Sequence, residues 1–505
     1  MERVEANRRD FLRWLAVAGA GLAAAGIAPA VFAQEAAAAG ADVVVVLGAT
    51  VVDGTDGPPA PDSAVVLVGD RIAWAGPAAY LPPLTGVRVV DGRGRYLVPG
   101  LWDLHTHGLD YEAIFPPLYL ANGVTGIREM WGYAENRAAR DKIVRGELAG
   151  PRAVMGSSII DGPVSLLGPS VTKVATADEA RAAVRTAEAE GADFVKVYSY
   201  LGAEAYDAIV DECRRVGLPF AGHWPYRVPQ PAASDAGQRS FEHLFGVPAY
   251  TSARRDEILA TLAATPFDPA NPRAFFALAR ELDRQATEVY SPWRAREFFG
   301  RLVRNGTRLS PTMVVNRVIC SPADTFAHDP RLKYVPRDLR DFWAEQVRIR
   351  TPVTPVEIAR QEAYFHAQVE LVGAAHRAGV GLLGGTDCLN PYVFPGFSLH
   401  DELDYLVEAG LSPRRALQVV TRDAAAFLGR AATAGTITPG KEADLVLLDA
   451  NPLADIRAVR RIDTVIAAGR VFDRPALDGL LSGVEAAAGA GVNARSVGLP
   501  VHSCC

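Results

Sequence analysis

This chain of 505 residues has little cysteine, little histidine and no excess of basic charge. Each scarcity excludes something. Five cysteines (Cys213, Cys320, Cys388, Cys504 and Cys505) are too few and too scattered for a disulfide framework or a thiolate zinc site. The 52 basic residues against 58 acidic ones leave a net charge of −6, and no Lys/Arg stripe stands out. A nucleic-acid surface therefore has no electrostatic support. Hydrophobic residues make up 49% and charged residues 22%, which is globular usage and excludes a disordered, collagen-like or coiled-coil chain. The length suits one large domain and one smaller one. With only nine histidines, each position carries information.

Long apolar runs are also scarce. One stands out, from Trp14 to about Phe32, rich in Ala and Gly and preceded by Asn7-Arg8-Arg9-Asp10-Phe11-Leu12-Arg13. A charged start, an apolar stretch and a small residue (Ala33) before Gln34 resemble a twin-arginine export signal over residues 1–33. The expectation is export by the Tat machinery to the periplasm or beyond; a retained membrane anchor is the alternative, and cleavage is left open. Loss of residues 1–33 would take the charge from −6 to −7.

Residues 42–98 are short apolar runs broken by Gly and Pro, such as Val43–Leu47, Val65–Val68, Arg71–Trp74 and Val87–Val90. That texture indicates small antiparallel sheets. It returns over 431–475, for example at Asp444–Leu448 and Thr464–Ala468. The two flanks suggest one composite β-sandwich. Between them, over 99–430, helical stretches end in a glycine and an apolar run follows. The runs are Val124–Arg128, Ala153–Met155, Phe194–Tyr198, Pro219–Gly222, Ser240–Glu242, Arg308–Met313 and Gly381–Gly385. With an opening strand at Tyr96–His105 they make eight strand–helix units, the count of an α/β (β/α)₈ TIM barrel. Helix-rich insertions are expected around 246–300 and 318–370. Residues 476–505 read as a tail, poorly ordered after about Leu480.

The chemistry-bearing residues fall where these strands end. His105 and His107 close the first strand; residues i and i+2 of a strand share a face, and Asp103 lies on it too. Lys196 lies in the apolar run Phe194–Tyr198. A lysine there is costly unless paired, for instance with Asp193, or chemically changed, as by carboxylation. His223 ends the next run, His243 the one after, and Asp387 the last, after Gly384-Gly385-Thr386. Together these six nitrogen and oxygen donors suit zinc, with manganese, cobalt or nickel as alternatives. Cys388, next to Asp387, reads as packing.

These segments resemble the amidohydrolase superfamily, in the imidazolonepropionase-like branch that includes metal-dependent Xaa-Pro dipeptidases (prolidase-like enzymes). They are Pro99–His107, Phe194–Tyr198, Gly222-His223-Trp224-Pro225, Phe241–Leu244, Gly384–Asp387 and the late Gly435–Asp449. The resemblance implies two divalent metal ions. His105, His107 and Asp387 would hold one, His223 and His243 the other, and a carboxylated Lys196 would bridge them. It implies that Asp387 is the general acid/base and that an amide of peptide or N-acyl amino acid type is cleaved. The alternative on the same centre is a lactone, a cyclic amidine or a phosphotriester; a barrel that binds without catalysing is a third reading. Where mononuclear deaminases of the family carry Glu, three residues after the His223 position, this chain has Tyr226, which favours hydrolysis over deamination. Tyr198, Tyr226, Arg227 and His400 are candidate substrate contacts. The partners expected are a small-molecule or short-peptide substrate and no nucleic acid. A homo-oligomer and a role for Cys504 and Cys505 are left open.

Overall fold

The computed structural model describes residues 42–81, 87–167 and 171–491. The expected export signal, Cys504 and Cys505 lie outside the described residues. Among the described residues no helix is long and apolar enough to cross a membrane. The chain divides into two compact units. One comprises residues up to 102, 120–125 and 413–479; the other comprises 103–119, 126–412 and 480 onward.

The first unit contains both flanks. Its N-terminal strands are β1 (Val43–Val51), β2 (Ala60–Val68), β3 (Arg71–Pro77), β4 (Arg88–Asp91) and β5 (Tyr96–Pro99). Its C-terminal strands come last in the chain, Leu445–Leu448, Ile462–Ala467 and Arg470–Phe472, here β15, β16 and β17. All eight form one sheet in the order β17-β16-β15-β5-β1-β2-β3, with β4 beside β1. The two flanks expected to build one composite sandwich are thus joined through a single hydrogen-bonded sheet. Register shifts interrupt the β1–β2 and β2–β3 pairings. The amide of Ile72 on edge strand β3 then reaches the carbonyl of Lys441, just ahead of β15. Val44, Val46, Val65, Leu67, Leu97, Leu445, Leu447 and Ile466 consequently share one core cluster. Alternation decides this: those valines and leucines are two apart on each strand, so they lie on one face.

The remaining strands carry the site. They are β6 (Leu101–Thr106), β7 (Val124–Glu129), β8 (Arg152–Met155), β9 (Ile160–Asp161), β10 (Thr172–Lys173), β11 (Val195–Val197), β12 (Phe220–Gly222), β13 (Ser240–Glu242) and β14 (Arg308–Ser310). The expected opening strand Tyr96–His105 is two strands: β5 pairs with β1 and β15, whereas β6 pairs with β7. These strands form a six-stranded sheet, β10-β9-β11-β12-β13-β14, and a three-stranded one, β6-β7-β8. They are not one closed sheet. Backbone contacts link the sheet edges: Gly156 bridges Phe194, and Leu309 bridges Leu382. The amide of Leu104 donates to Gly384 O at 2.8 Å, and that of Asp387 to His105 O at 2.7 Å. The expected run Gly381–Gly385 thus contributes an isolated bridge rather than a strand. Strands β9 and β10 were not foreseen, because two-residue strands leave no pattern to read.

Helices fill the expected insertions, including Pro272–Thr287, Arg337–Arg348 and Pro355–Arg377. The C-terminal stretch differs from its expectation: Arg474–Gly489 is a helix. It buries Leu477, Val484 and Ala488, an apolar stripe at helical spacing, and Glu485 pairs with Lys333 at 2.9 Å.

Asp283 shows how the insertion is held. Its two carboxylate oxygens accept the amides of Gly246 (2.9 Å) and Ala249 (3.3 Å) at the start of the short helix Val247–Tyr250. Burial pushes this carboxyl up from the usual 3.8 to about 7, against the pull of those amides and of Arg280. The folded state therefore keeps a proton that the unfolded state has lost. Stability should fall as pH rises from about 4 through 7. Asp283→Asn is expected to shrink the drop in urea midpoint between pH 5.5 and pH 8.5; an unchanged drop would exclude Asp283 as its source.

Candidate metal centre

The six expected donors are all buried, His105, His107, Lys196, His223 and His243 in or just after strands and Asp387 after the bridge at Leu382: His105 0%, His107 4%, Lys196 1%, His223 0%, His243 1% and Asp387 0% exposed. His105 Nε2 and His107 Nε2 lie 3.2 and 3.1 Å from Asp387 Oδ1. A ring nitrogen each of His105 and His243 and an oxygen of Asp387 lie within 4.8 Å of one another. The His243 ring is 4.7 Å from that of His105 and 4.7 Å from that of His223, centroid to centroid. The charge of Lys196 is felt by His105, His223 and His243. Close backbone approach makes this convergence possible. A Cβ at Gly222, whose φ is +143°, would stand 2.1 Å from Val197 O and 3.0 Å from Lys196 Cδ. One at Gly385 would stand 2.8 Å from the Cβ of His105.

The Nδ1 atoms of three histidines meet a hydrogen-bonding side chain. Glu242 Oε2 is 2.9 Å from His105 Nδ1, Ser199 Oγ is 2.9 Å from His223 Nδ1, and Thr312 Oγ1 is 2.8 Å from His243 Nδ1. The Nδ1 of His107 lies 3.6 Å from Glu129 Oε1, too far for a hydrogen bond. The four Nε2 atoms are buried with no hydrogen-bond partner among the described residues. Burial holds the His105 imidazole down to about 4 and those of His223 and His243 well below the usual range, so these three are neutral. Burial alone would raise Asp387, but the imidazoles of His105, His243 and His107 beside it hold its carboxyl well below the usual range. Four buried imidazoles with unused Nε2 atoms, three of them neutral and hydrogen-bonded through Nδ1, with a carboxylate beside them, fit divalent cations.

Several supporting residues escaped the sequence reading. Arg128 Nη2 donates to both oxygens of Glu242 at 3.0 and 3.1 Å. Burial opposes ionisation of Glu242, but the Arg128 charge and the His105 hydrogen bond keep it a carboxylate. A signal was available: Arg128 and Glu242 are charges within covered apolar strands, the same argument that singled out Lys196. Asn390 Nδ2 donates to Asp387 Oδ2 at 2.6 Å and to Asp387 O at 3.0 Å. His243 (φ 65°), Thr312 (φ 46°) and Asp387 (φ 58°) hold left-handed conformations without being glycine. Such strain clusters where geometry serves function, and no sequence pattern announces it.

The candidate substrate contacts fare unequally. Tyr198 stacks on His223, 3.9 Å between centroids. Tyr226 is buried, and its hydroxyl has no hydrogen-bond partner among the described residues. His400 is buried near the start of helix Phe397–Glu408. Arg227 is committed elsewhere. Its guanidinium donates to the carbonyls of Leu262 (2.8 Å) and Thr265 (2.6 Å), capping the end of helix Arg255–Ala264, and lies 4.1 Å over the Phe267 ring.

Residues 328–472 match the model of the amidohydrolase family. An imidazolonepropionase of Cereibacter sphaeroides is 26% identical over 413 residues, covering 78% of this chain and 90% of that protein. One of Acidiphilium cryptum is 27% identical over 399 residues, covering 77% and 87%. Among solved structures, bottromycin amidohydrolase superposes with a TM-score of 0.68 at 25% identity, covering 88% of this chain and 90% of that one. A putative prolidase from Bifidobacterium longum gives 0.60 at 25% identity, covering 88% and 99%.

Proposed function

We infer that the chain is a member of the amidohydrolase superfamily, in its imidazolonepropionase- and prolidase-like branch, and propose that it is a metal-dependent hydrolase that cleaves a peptide or N-acyl amino acid amide. The ring of backbone contacts through β6, β7, β8, β11, β12, β13, β14 and Leu382–Gly384 supports a (β/α)₈ barrel as its frame. The observation that carries the reading is the meeting of His105 and His107 Nε2 with Asp387 Oδ1, beside the His243 and His223 rings, with all four Nε2 atoms buried and without a hydrogen-bond partner among the described residues.

On this reading His105, His107 and Asp387 would hold one divalent cation, His223 and His243 would hold a second, and a carboxylated Lys196 would serve both. Zinc is the metal favoured by the donors. Such cations polarise the amide carbonyl and make bound water acidic near neutral pH. The protein's own part is positional and acid–base. Glu242, Ser199 and Thr312 hold three imidazole rings by their Nδ1 atoms. Asn390 holds the Asp387 carboxylate in one orientation. As a water oxygen bonds to the amide carbon, Asp387 takes the proton from that oxygen. It then delivers the proton to the nitrogen as the C–N bond breaks, which leaves a carboxylic acid and an amine.

The curated relatives are imidazolonepropionases, so a ring C–N bond is the second reading. Zinc-loaded protein assayed against linear amides, cyclic amidines, lactones and phosphotriesters decides between them. Turnover of linear amides above the rest supports the first reading, and turnover of ring substrates alone replaces it. Lys196→Ala is expected to lower zinc from about two ions per chain to one or fewer, measured by elemental analysis after reconstitution with bicarbonate. An unchanged metal content would remove the bridging role.

A further inference from the structure

Two demands meet on the hydroxyl of Thr312. The residue precedes helix Met313–Ile319, the position from which a threonine ordinarily accepts an amide of the first turn. Here it accepts none. Its Oγ1 lies 2.8 Å from His243 Nδ1 instead, and its backbone is left-handed (φ 46°) where such a cap is ordinarily extended. The amide that Thr312 forgoes is taken by a residue 88 positions beyond Val314. Glu402, fully buried on helix Phe397–Glu408, accepts the Val314 amide through Oε2 at 3.0 Å.

The turn is gripped from its other side as well. Asn316 Nδ2 donates to the carbonyl of Pro311 at 3.1 Å. The His243 amide donates to Ser310 O at 2.9 Å, so the turn and the histidine are joined through the backbone too. A left-handed threonine persists only where its surroundings over-determine it, and Glu402 supplies the hold on the amide side. Burial pushes the Glu402 carboxyl up to about 8, against the pull of the Met313 and Val314 amides. A neutral glutamine therefore suits the same place and still offers those amides an oxygen.

We propose that Glu402 is a positioning residue for the metal centre: by capping helix Met313–Ile319 in place of Thr312, it leaves the Thr312 hydroxyl to His243 Nδ1 and so fixes the ring that would hold the second cation. This rests on the two-cation reading above and on no choice of substrate. The competing role for Glu402 is structural, as a tie between two helices that matters for stability and not for the histidine.

The test is a competitive zinc titration of the full-length protein with bicarbonate present, and thermal unfolding alongside. Wild type should take up about two zinc ions per chain. Thr312→Val and Glu402→Leu should each weaken one zinc step by about ten-fold or more, the range for losing the partner of a ligating histidine. The double variant should match Thr312→Val to within about two-fold, because both residues act through one hydrogen bond. Glu402→Gln should restore most of the affinity. A Glu402→Leu protein that is less stable yet binds both ions as wild type does, or a double variant whose losses multiply, overturns the proposal. Should Glu402→Leu not fold, Glu402→Asp takes its place: a carboxylate drawn back by one methylene should weaken the same step, and an unchanged step overturns the proposal. A wild type without a second zinc step overturns the two-cation reading itself, and the proposal falls with it. Failure of the variants in a wild type that binds both ions removes the role of Glu402 alone.

Discussion

Asp387→Asn is expected to lower kcat by about 10²–10⁴-fold, the range for losing a positioned acid–base group. The substitution changes few contacts. The backbone link from Asp387 N to His105 O does not involve the side chain, and an amide oxygen can still face His105 and His107, at the loss of the side-chain hydrogen bond from Asn390, which would then meet an NH2. What disappears is the ability to take up a proton and release it. Asn390, which donates to Asp387 Oδ2 at 2.6 Å, holds the native carboxylate in one orientation. The measurement is kcat on a cleaved amide alongside zinc content, so that loss of metal is not mistaken for loss of the base. A kcat within about ten-fold of wild type, with zinc unchanged, would assign the proton transfer to another group.

The largest expected effect on stability comes from Arg128→Met. Arg128 is 1% exposed and Glu242 is fully buried. The guanidinium serves Glu242, Ser240 Oγ (3.1 Å) and the carbonyl of Leu104. Removing it leaves a carboxylate in the interior with no cation opposite, a change that costs about 3–5 kcal/mol. Glu242 would then have to take up a proton or move, and its hold on His105 Nδ1 would loosen, so zinc affinity should fall as well. Thermal unfolding of the zinc-free proteins isolates the first effect, and a competitive zinc titration reads the second. The double variant Arg128→Met/Glu242→Gln should recover part of the stability because no charge is stranded. A single variant within about 1 kcal/mol of wild type would show that Glu242 does not depend on Arg128.

Legibility followed the range of the interactions. The side of a strand that a residue occupies is a local matter of alternation, so His105 and His107 were visible as a pair and Lys196 as a charge in an apolar run. The order of runs between the flanks was legible for the same reason. Short or irregular elements were not: β9 and β10 have two residues each, and the segment at Gly381–Gly385 keeps a single bridge. Arg227 misled because a charged residue after a strand-end histidine looks available, whereas its fate was set by the free carbonyls of a helix 35 to 38 residues later.

Read alone, the chain determined which donor types stand at which strand ends, and through them the class of chemistry, because residue identity and strand alternation are written in neighbouring positions. Only the tertiary structure decided how those donors are aimed. Glu242 reaches His105 across 137 residues, and Thr312 reaches His243 across 69. Such pairings depend on where distant backbones pass in space, and the glycines at 222 and 385 let them pass close enough.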